Sequence, residues 1–598
     1  MLALLQGLIE KMATLLTQGT QLEARKIKKP LTKSFLVSLS ILFFVCAHFF
    51  QPNPGGSGLH LAFNAASWIP ASIAIAIAFY HIAKQGVIKY STLTIVLFFS
   101  AVLLSVPLIY QDSSPLLAAG KFFGLWAGWL FFLTLQQFAF SNKQKQWLLW
   151  CIIGSVLIEA IFGYIQYLFL EPGNSFGYNV ISNRPYGIFQ QPNVMASFLV
   201  TGLAIASYFL ARQPIKYREN PVALTLLYIT IILTLPLIIV LASRTGWIAA
   251  VFSLLLLIPY MWKYCTKKRF SSWILALIMG VSGSFIILHF SQNDDFNNIS
   301  LLSKKADLES PRRYTFPQAL DMLLEKPITG YGYGNFEAAY ILYTAKQHQI
   351  SADYKSGLPS MDHPHNEVLY WGVEGGILAI FGLLLAAGGV LLKIRKSKLD
   401  TQFALLALIS PIFIHSQLEY PFYHSMLHWF TFIILLFWID QLSCKYKKYR
   451  ITGVSKISLR VSSLVLPIIT AFYMLSALHT NWILTKFETT KPMNPEILNQ
   501  VSNPVVWEDR FNWDVLSAQL SIGIINKRPD LIIPYITWSK ELIKNKPRPA
   551  FYQNLIIAYQ ALGQEANAED IRREAVFLFP NNNFETVQLD QKLRQIRK

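Results

Sequence analysis

Side chains that could take part in chemistry gather in five polar stretches of an otherwise apolar chain. These stretches combine arginine, histidine, asparagine and carboxylates, and they read NRPYGIFQQPNVMASF (183–198), SRTG (243–246), ESPRRYTFPQALDMLLEKPITGYGYGNF (309–336), MDHPHNEVLYWGVEGG (361–376) and HSQLEYPFYH (415–424). Guanidinium groups donate bidentate hydrogen bonds to phosphate oxygens. A histidine can accept a proton from a hydroxyl near neutral pH. Such residues could together transfer a group from a phosphate-activated donor to an acceptor hydroxyl.

Arg184, Arg244 and His365 have the residue types that this chemistry needs. A diphosphate at a membrane surface requires cations, which the two arginines can supply, and an acceptor hydroxyl requires a base, for which His365 is the candidate. Each arginine also has a simpler interpretation, because interfacial arginines commonly extend toward lipid headgroups. Arg312 and Arg313 lie in a polar segment, where they could be solvated or ion-paired. The sequence alone does not show that the three candidates converge.

Neither a metal site nor a phosphate-binding glycine loop is predicted. His363 and His365 are two residues apart, but such a pair is a weak metal signal without a third ligand in register. The possible further ligands are Asp362, His415 and His424. The glycines of PITGYGYGNF (327–336) lack the lysine and the helix context of a phosphate loop, so they predict a turn. No metal and no cofactor are therefore expected.

The elements that must position these residues are membrane helices. The chain has 598 residues and a mean hydropathy of +0.38, and only 14% of its residues are charged, against about 25% in a globular protein. Thirteen apolar stretches are long enough to span about 30 Å of hydrocarbon as helices. They cover about 34–50, 60–82, 91–110, 116–140, 147–170, 192–211, 223–241, 246–262, 272–290, 366–392, 402–418, 425–442 and 458–478. The sequence therefore predicts an all-α polytopic membrane protein with about 13 transmembrane helices.

The distribution of charge predicts the orientation of these helices. If the N-terminus is cytoplasmic, every second connection should be basic. Each one is: Lys84/Lys89, Lys143/Lys145, Arg212/Lys216/Arg218, Lys263/Lys267/Lys268/Arg269, Lys393/Arg395/Lys396/Lys398 and Lys445/Lys447/Lys448/Arg450. The polar stretches then face the periplasm of a Gram-negative cell, and the protein lies in its inner membrane. Because the basic clusters follow the topology, the net charge of +19 does not indicate nucleic acid as a partner.

Five segments follow from this topology. Residues 1–33 form a cytoplasmic amphipathic and basic segment, 34–290 form helices one to nine, 291–365 form a large periplasmic loop, 366–478 form helices ten to thirteen, and 479–598 form a periplasmic helical tail. The tail is expected to be a separate soluble unit. Its part FYQNLIIAYQALGQEANAEDIRREAVFLFP (551–580) has the spacing of a tetratricopeptide-like helical hairpin.

Three groups of motifs carry a resemblance to a known family. RPYGIFQQPNVMASFL (184–199) joins an Arg-Pro-aromatic-Gly run to Gln-Pro-Asn. The second group is SRTGW (243–247), PITGYGYGNF and HPHNEVL (363–369), and the third is HSQLEYPFYHSMLHWF (415–430) with the tail. In this order they resemble the O-antigen ligase superfamily and, within it, the PglL-type O-oligosaccharyltransferases. The first block resembles the part that distinguishes the protein-glycosylating branch.

The resemblance implies a metal-independent glycosyltransferase that takes an oligosaccharide from an undecaprenyl-diphosphate donor in the lipid bilayer. It implies that Arg184 and Arg244 hold the diphosphate, and that His365 is the essential histidine, acting as base on the acceptor hydroxyl or positioning it. The acceptor is then a Ser or Thr of a pilin-like or other exported protein. Supporting roles are assigned to Gln191, Asn193, Arg312, His363, Asn366, Glu374, His415, Gln417 and Glu419.

Other functions are weighed against this one. An O-antigen ligase acting on lipid A-core, or a polymerase that extends the lipid-linked glycan, would use the same donor. The Gln-Pro-Asn block and the long tail favour the protein-glycosylating enzyme over the ligase. A transporter should carry ionisable residues midway along several spans or an inverted repeat, whereas Lys121, Glu159 and few others lie within spans. A purely structural protein has no need to collect arginine, histidine and asparagine on one face.

Overall fold

The chain is built from helices of membrane length. The computed structural model describes residues 31–212, 220–289, 310–492 and 494–589, so the predicted N-terminal segment lies outside the described residues except for its last three positions. Thirteen helices in the described ranges are long and apolar enough to cross a membrane. The predicted all-α polytopic fold is therefore confirmed.

Helices and one pair of short strands follow each other along the chain. In order they are α1 (Leu31–Phe44), α2 (Ala62–Gln85), β1 (Val87–Tyr90), α3 (Thr92–Ser105), α4 (Pro115–Leu135), α5 (Asn142–Leu168), α6 (Pro192–Arg212), α7 (Pro221–Val240), α8 (Arg244–Tyr264), α9 (Lys267–His289), α10 (Arg312–Glu325), α11 (Phe336–Ile350), α12 (Glu367–Ile394), α13 (Leu399–Ser416), α14 (Pro421–His424), α15 (Met426–Ser443), β2 (Lys447–Arg450), α16 (Gly453–Thr489), α17 (Glu508–Ile525), α18 (Pro529–Leu542), α19 (Pro549–Ala561) and α20 (Glu565–Leu578). Short 3-10 turns connect several of them, including Gly187–Phe189.

The central helix of the membrane part is α6. Its whole membrane-length window is buried inside the protein, and it packs against α5, α7, α8 and α13. Its side chains belong to the largest apolar cluster of the described chain. Close packing on all sides leaves little freedom to a helix in this position. α6 begins at Pro192, directly after the segment that carries Arg184. The start of α6 is therefore held rigidly in place and restricts the position of that segment.

Glycines shape the junction between α12 and the outer loop. Gly376 has φ 65 and ψ −159, which breaks the helix there. A Cβ atom at Gly376 would lie 2.1 Å from the carbonyl oxygen of Ile328, so only glycine fits. The turn predicted for the glycine-rich stretch is confirmed, since Gly330, Gly332 and Gly334 all have positive φ.

The last membrane helix is longer than its predicted span of 458–478. α16 has 37 residues, which corresponds to about 55 Å at about 1.5 Å per residue. The hydrocarbon core of a bilayer is only about 30 Å thick. α16 therefore continues beyond the membrane and leads directly into the tail.

At the other end of α16, β1 and β2 form an antiparallel pair that the sequence did not predict, with Val87 opposite Arg450.

The tail packs onto the outer loop instead of forming a separate unit. Side chains of α10, α11 and the first turns of α12 share one apolar cluster with α17 to α20. Arg548 donates from Nε and Nη2 to the Glu337 carboxylate at 2.7 and 2.9 Å. Arg510 joins α17 to the outer end of α16 through Glu488 at 2.7 Å and Asn481 at 2.6 Å. The helical hairpin expected in the tail is present as α19 and α20.

Candidate functional site

Arg184 lies against the turn between α7 and α8. Its Nε and Nη2 donate to the carbonyl oxygen of Leu241 at 3.1 and 2.9 Å, and Nη2 also reaches the carbonyl of Ala242 at 3.5 Å. Burial lowers the pKa of Arg184. No carboxylate in the described part of the chain forms an ion pair with it. The guanidinium is thus a partly desolvated cation whose charge no described carboxylate neutralises.

Arg244 follows this turn directly and is the first residue of α8. The Ser243 hydroxyl caps the helix by accepting from the backbone N–H of Gly246 at 3.1 Å. The Arg244 side chain is exposed and has no hydrogen bond or ion pair to any described residue. The N-terminus of a helix favours anions because unpaired N–H groups and the helix dipole are positive there. The structure therefore brings the two predicted arginines to either side of one turn that can hold an anion.

Buried polar groups hold the backbone of residues 184–189, the Arg184 segment. Glu159, in the middle of α5, accepts from the backbone N–H of Ile188 at 2.9 Å, and its other oxygen lies 2.5 Å from Nδ1 of His48. Gly187 passes close above this carboxylate with φ 59, and a Cβ there would lie 2.1 Å from Glu159 Oε2. The segment can take this path only with glycine at 187.

Two further side chains complete the support. Gln166 of α5 accepts from the backbone N–H groups of Tyr186 and Gly187 at 2.9 and 2.8 Å. His424 donates from Nε2 to the carbonyl of Phe189 at 2.7 Å. Sequence reasoning missed these roles. A carboxylate within an apolar span, such as Glu159, is a usable signal, whereas Gln166 carries none.

We expect Glu159→Ala to displace the Arg184 segment. The substitution leaves the Ile188 N–H and the His48 ring without their partner, and each buried unpaired group costs about 1–3 kcal/mol. The apparent melting temperature in detergent should therefore fall. Glu171→Ala, which removes an exposed carboxylate from the same outer connection, is the matched control. Equal melting temperatures for the two variants would contradict the assigned support.

His365 lies at the junction of the outer loop and α12. Its backbone has φ 59 and its N–H donates to Nδ1 of His363 at 2.8 Å. The imidazole Nδ1 donates to Glu419 Oε2 at 2.9 Å, and 31% of the side chain is exposed. Since a histidine that donates from Nδ1 can accept at Nε2, the exposed part of the ring can receive a proton from a substrate hydroxyl.

Glu419 connects the histidine to the rest of the site. Its Oε1 accepts from Nδ2 of Asn193 at 3.1 Å and from Nη2 of Arg312. Burial alone would raise the pKa of Glu419, but the hydrogen bond from His365 and the charge of Arg312 outweigh burial and lower it to about 2. The carboxylate is therefore ionised and can only accept hydrogen bonds. Because Asn193 follows the Arg184 segment, one carboxylate links that segment to His365.

Four other predicted residues stabilise this cluster from within. Asn366 caps α12 by accepting from the Leu369 N–H at 2.9 Å, and its Nδ2 donates to the carbonyl of Gln417 at 3.0 Å. Gln191 accepts from the N–H of Asn193 at 2.6 Å. His363 is buried, and burial lowers its pKa. With Nδ1 already bound to the His365 backbone, His363 acts as a support for that backbone.

The structure leaves Glu374 outside the cluster and places His415 next to it. Glu374 is buried and pairs with Lys121 at 2.9 Å, while its other oxygen accepts from the N–H of Gly334 at 2.9 Å. His415 is enclosed in the helix bundle, where its Nδ1 lies 2.7 Å from the Ser197 hydroxyl, and its carbonyl accepts from the Glu419 N–H at 2.8 Å. His415 thus supports the backbone of Glu419, whereas Glu374 holds the glycine turn against α12.

The described residues contain no group of three or more His, Cys, Asp or Glu side chains arranged to hold a metal ion. What the site does present is two arginines that form no ion pair with a described carboxylate, beside a helix N-terminus, and a histidine oriented by an ionised carboxylate. This combination can bind a diphosphate and deprotonate a hydroxyl. Asn193, Arg312 and His365 meet at Glu419. The α8 end that carries Arg244 lies against α6 near Asn193, because a Cβ at Gly246 would lie 2.7 Å from that of Ala196. Arg184 contacts the turn before this end.

Three protein families match parts of the chain. The family described as O-antigen ligase matches residues 229–384, which include Arg244 and His365. The family described as protein glycosylation ligase matches residues 185–210. The C-terminal part of the virulence factor membrane-bound polymerase family matches residues 403–594. The resemblance to O-antigen ligases and to their protein-glycosylating branch is thereby confirmed.

Two characterised relatives agree with these matches. A general O-oligosaccharyltransferase of Acinetobacter baylyi is 26% identical over 332 residues, which cover 53% of this chain and 55% of the relative. An O-antigen ligase of Salmonella typhimurium is 26% identical over 187 residues, which cover 31% of this chain and 43% of the relative. The chain thus spans about half the length of the curated relatives that it matches. Both names indicate glycan transfer.

Proposed function

We propose that this chain, as a relative of O-antigen ligases and O-oligosaccharyltransferases, transfers an oligosaccharide en bloc from undecaprenyl diphosphate to a Ser or Thr hydroxyl of an exported, pilin-like protein. The observation that carries the proposal is the hydrogen bond from His365 Nδ1 to an ionised Glu419 at 2.9 Å. It leaves Nε2 of this partly exposed ring able to accept a proton and act as the base, with the two arginines on the same predicted side of the membrane.

The reaction follows from these positions. The acceptor hydroxyl gives its proton to His365 Nε2 while its oxygen attacks the anomeric carbon of the first sugar. The bond from that carbon to the diphosphate oxygen breaks, and undecaprenyl diphosphate leaves with the electron pair. Arg184 and Arg244 stabilise the charge that develops on the leaving group, an interaction that strengthens as water is excluded. The imidazolium, stabilised by Glu419, then returns its proton to solvent. These steps are complete without a metal ion.

The protein-glycosylating reaction is favoured over the lipid A-core ligase by two observations. The protein glycosylation ligase family matches the segment directly after Arg184, and the oligosaccharyltransferase relative covers 53% of the chain against 31% for the ligase relative. The alternation of basic connections supports placement in the inner membrane of a Gram-negative cell with the site facing the periplasm.

Expression in cells that make a lipid-linked glycan but lack their own ligases tests the proposal. Candidate pilins are co-expressed, and the intact mass of each pilin is measured. We expect a glycan-sized mass gain with the native chain and with His348→Ala, a histidine of α11 outside the site, and none with His365→Ala. Glycan restored on lipid A-core, with no gain on any pilin, would overturn the protein acceptor and support the ligase instead.

A further inference from the structure

A cavity of about 210 Å³ lies in the tail, enclosed by α17, α19 and the outer end of α16. Asp514, Ser517 and Ser521 line it from α17, and their spacing of three and four residues places them on one face of the helix. Asn554 of α19 is a further polar residue of the lining. The glycan-transfer site uses none of these residues.

One polar atom of this lining lacks a partner. The buried Oγ of Ser517 has no hydrogen-bond partner among the described residues. Beside it, Asp514 is only 6% exposed, and its carboxyl shares a hydrogen bond with the Glu488 carboxylate. Buried polar groups in folded proteins are nearly always hydrogen-bonded, so an exception calls for a specific reason. An unpartnered hydroxyl next to a buried carboxyl, both on the helix face that lines a cavity, points to a ligand.

The charges at the cavity restrict what that ligand can be. No lysine, arginine or histidine lines it, and Asp514 is its only ionisable lining residue. Burial, together with the nearby Glu488 carboxylate, raises the pKa of Asp514 to about 7. Near neutral pH the Asp514 carboxyl can therefore both donate and accept hydrogen bonds, as hydroxyl groups do. An anion such as a phosphate would find no counter-charge in this lining.

The remaining lining is aromatic and apolar. Trp513 and Phe487 contribute ring surface beside the polar face. A small cavity with apolar walls and a few convergent polar groups is the usual form of a small-molecule site. An uncharged sugar ring matches such a lining, because it has hydroxyl groups along its edge and apolar C–H groups on its face.

We propose that the tail cavity binds one uncharged sugar ring through Asp514, Ser517 and Asn554, with the C–H face of the ring on Trp513. The inference rests on the proposed function for the source of the sugar, which is the oligosaccharide that the enzyme transfers. That ring belongs either to the lipid-linked donor or to glycan already attached to an acceptor protein. The Arg548–Glu337 ion pair joins the tail to the outer loop, so a glycan held in the cavity stays on the reactive side of the membrane.

Saturation-transfer NMR on the full chain in nanodiscs tests this binding directly. Glucose, galactose and N-acetylglucosamine are the probes. We expect saturation transfer to at least one of them, lost in Ser517→Trp, which fills the cavity, and kept in Thr537→Trp, which adds the same bulk at an exposed position of α18. Asp514→Asn, which keeps the shape, should weaken binding about tenfold, the effect of losing one hydrogen bond. Transfer to none of the three sugars, or equal transfer in Ser517→Trp, would overturn the proposal.

Competition then identifies the source of the sugar. Displacement of the bound probe by lipid-linked oligosaccharide assigns the cavity to the donor, and displacement by glycosylated but not unmodified pilin assigns it to the product. Displacement by neither overturns the link to transfer. Because the binding assay needs no turnover, sugar binding in a chain that modifies no pilin would leave the cavity assigned and the proposed function refuted.

Discussion

Replacement of His365 by alanine is expected to lower the rate of glycan transfer by about 10²- to 10⁴-fold, the usual contribution of a positioned general base. Glu419→Gln should cause a loss of similar size. A glutamine keeps the shape but can present an N–H to the imidazole, and it no longer stabilises the imidazolium that forms on proton transfer. The rate is measured as pilin modification by purified enzyme in proteoliposomes at saturating donor.

Controls separate this chemistry from folding. His348→Ala and Glu171→Gln change a histidine and a carboxylate of the same outer regions without touching the cluster, and both should retain native rates. His365→Ala should elute in size-exclusion chromatography as the native protein does, because its side chain is partly exposed and, among the described residues, hydrogen-bonds only to Glu419. A His365→Ala enzyme with more than a tenth of the native rate would refute the role as base.

The second large effect is expected at the two arginines. Arg244→Ala should lower transfer about 10²- to 10³-fold, as loss of one preorganised group at a developing charge does. Its melting temperature should stay native, since the Arg244 side chain is exposed and contacts no described partner. Arg184→Ala should lower the transfer rate in the same way. It should also lower the melting temperature, because the Arg184 guanidinium donates a hydrogen bond to the carbonyl of Leu241.

Lysine variants test the geometry at these positions. Arg184→Lys keeps the charge but loses the planar fork that binds two oxygens at once. Compared with Arg184→Ala, it should therefore regain part of the lost melting temperature but almost none of the lost transfer rate. Arg395→Ala removes an exposed arginine from the opposite end of α12 and is the matched control for loss of a positive charge. Full activity of Arg244→Ala at low donor concentration would show that the diphosphate binds elsewhere.

The sequence predicted much of this arrangement because hydropathy and charge act locally. Apolar runs long enough to span a bilayer must be helical, since the backbone has no other partners there, and the thirteen spans were found on that basis. Arg184, Arg244 and His365 could be chosen by residue type and by the side of the membrane that the charge pattern predicts for them. Asn366 was proposed as a supporting residue from the family resemblance, and its role as the cap of α12 was not predicted.

Contacts between distant parts of the chain could not be predicted from the sequence. Glu419 is hydrogen-bonded by His365, Arg312 and Asn193, which lie 54, 107 and 226 residues away in the sequence. No local sequence pattern predicts contacts over such separations. For the same reason Glu374 was assigned to the site, although its carboxylate is fully used by Lys121 and the glycine turn. Gln166, which fixes the Arg184 segment, looks like any polar residue near the end of a span.

The apolar cluster shared by the outer loop and the tail limits how this gene could recombine with those of its relatives. A foreign tail grafted onto this loop would place unmatched side chains against Phe336 and Tyr340 and would leave Glu337 without Arg548. In such a hybrid the two halves of the shared apolar cluster would come from different proteins and would not pack together. Residues 310–365 and 494–589 should therefore be inherited as one block, although the membrane helices α12 to α16 separate them. In both natural lineages and laboratory chimeras, an exchange of the tail that keeps the protein folded should therefore carry the outer-loop residues 310–365 along with it.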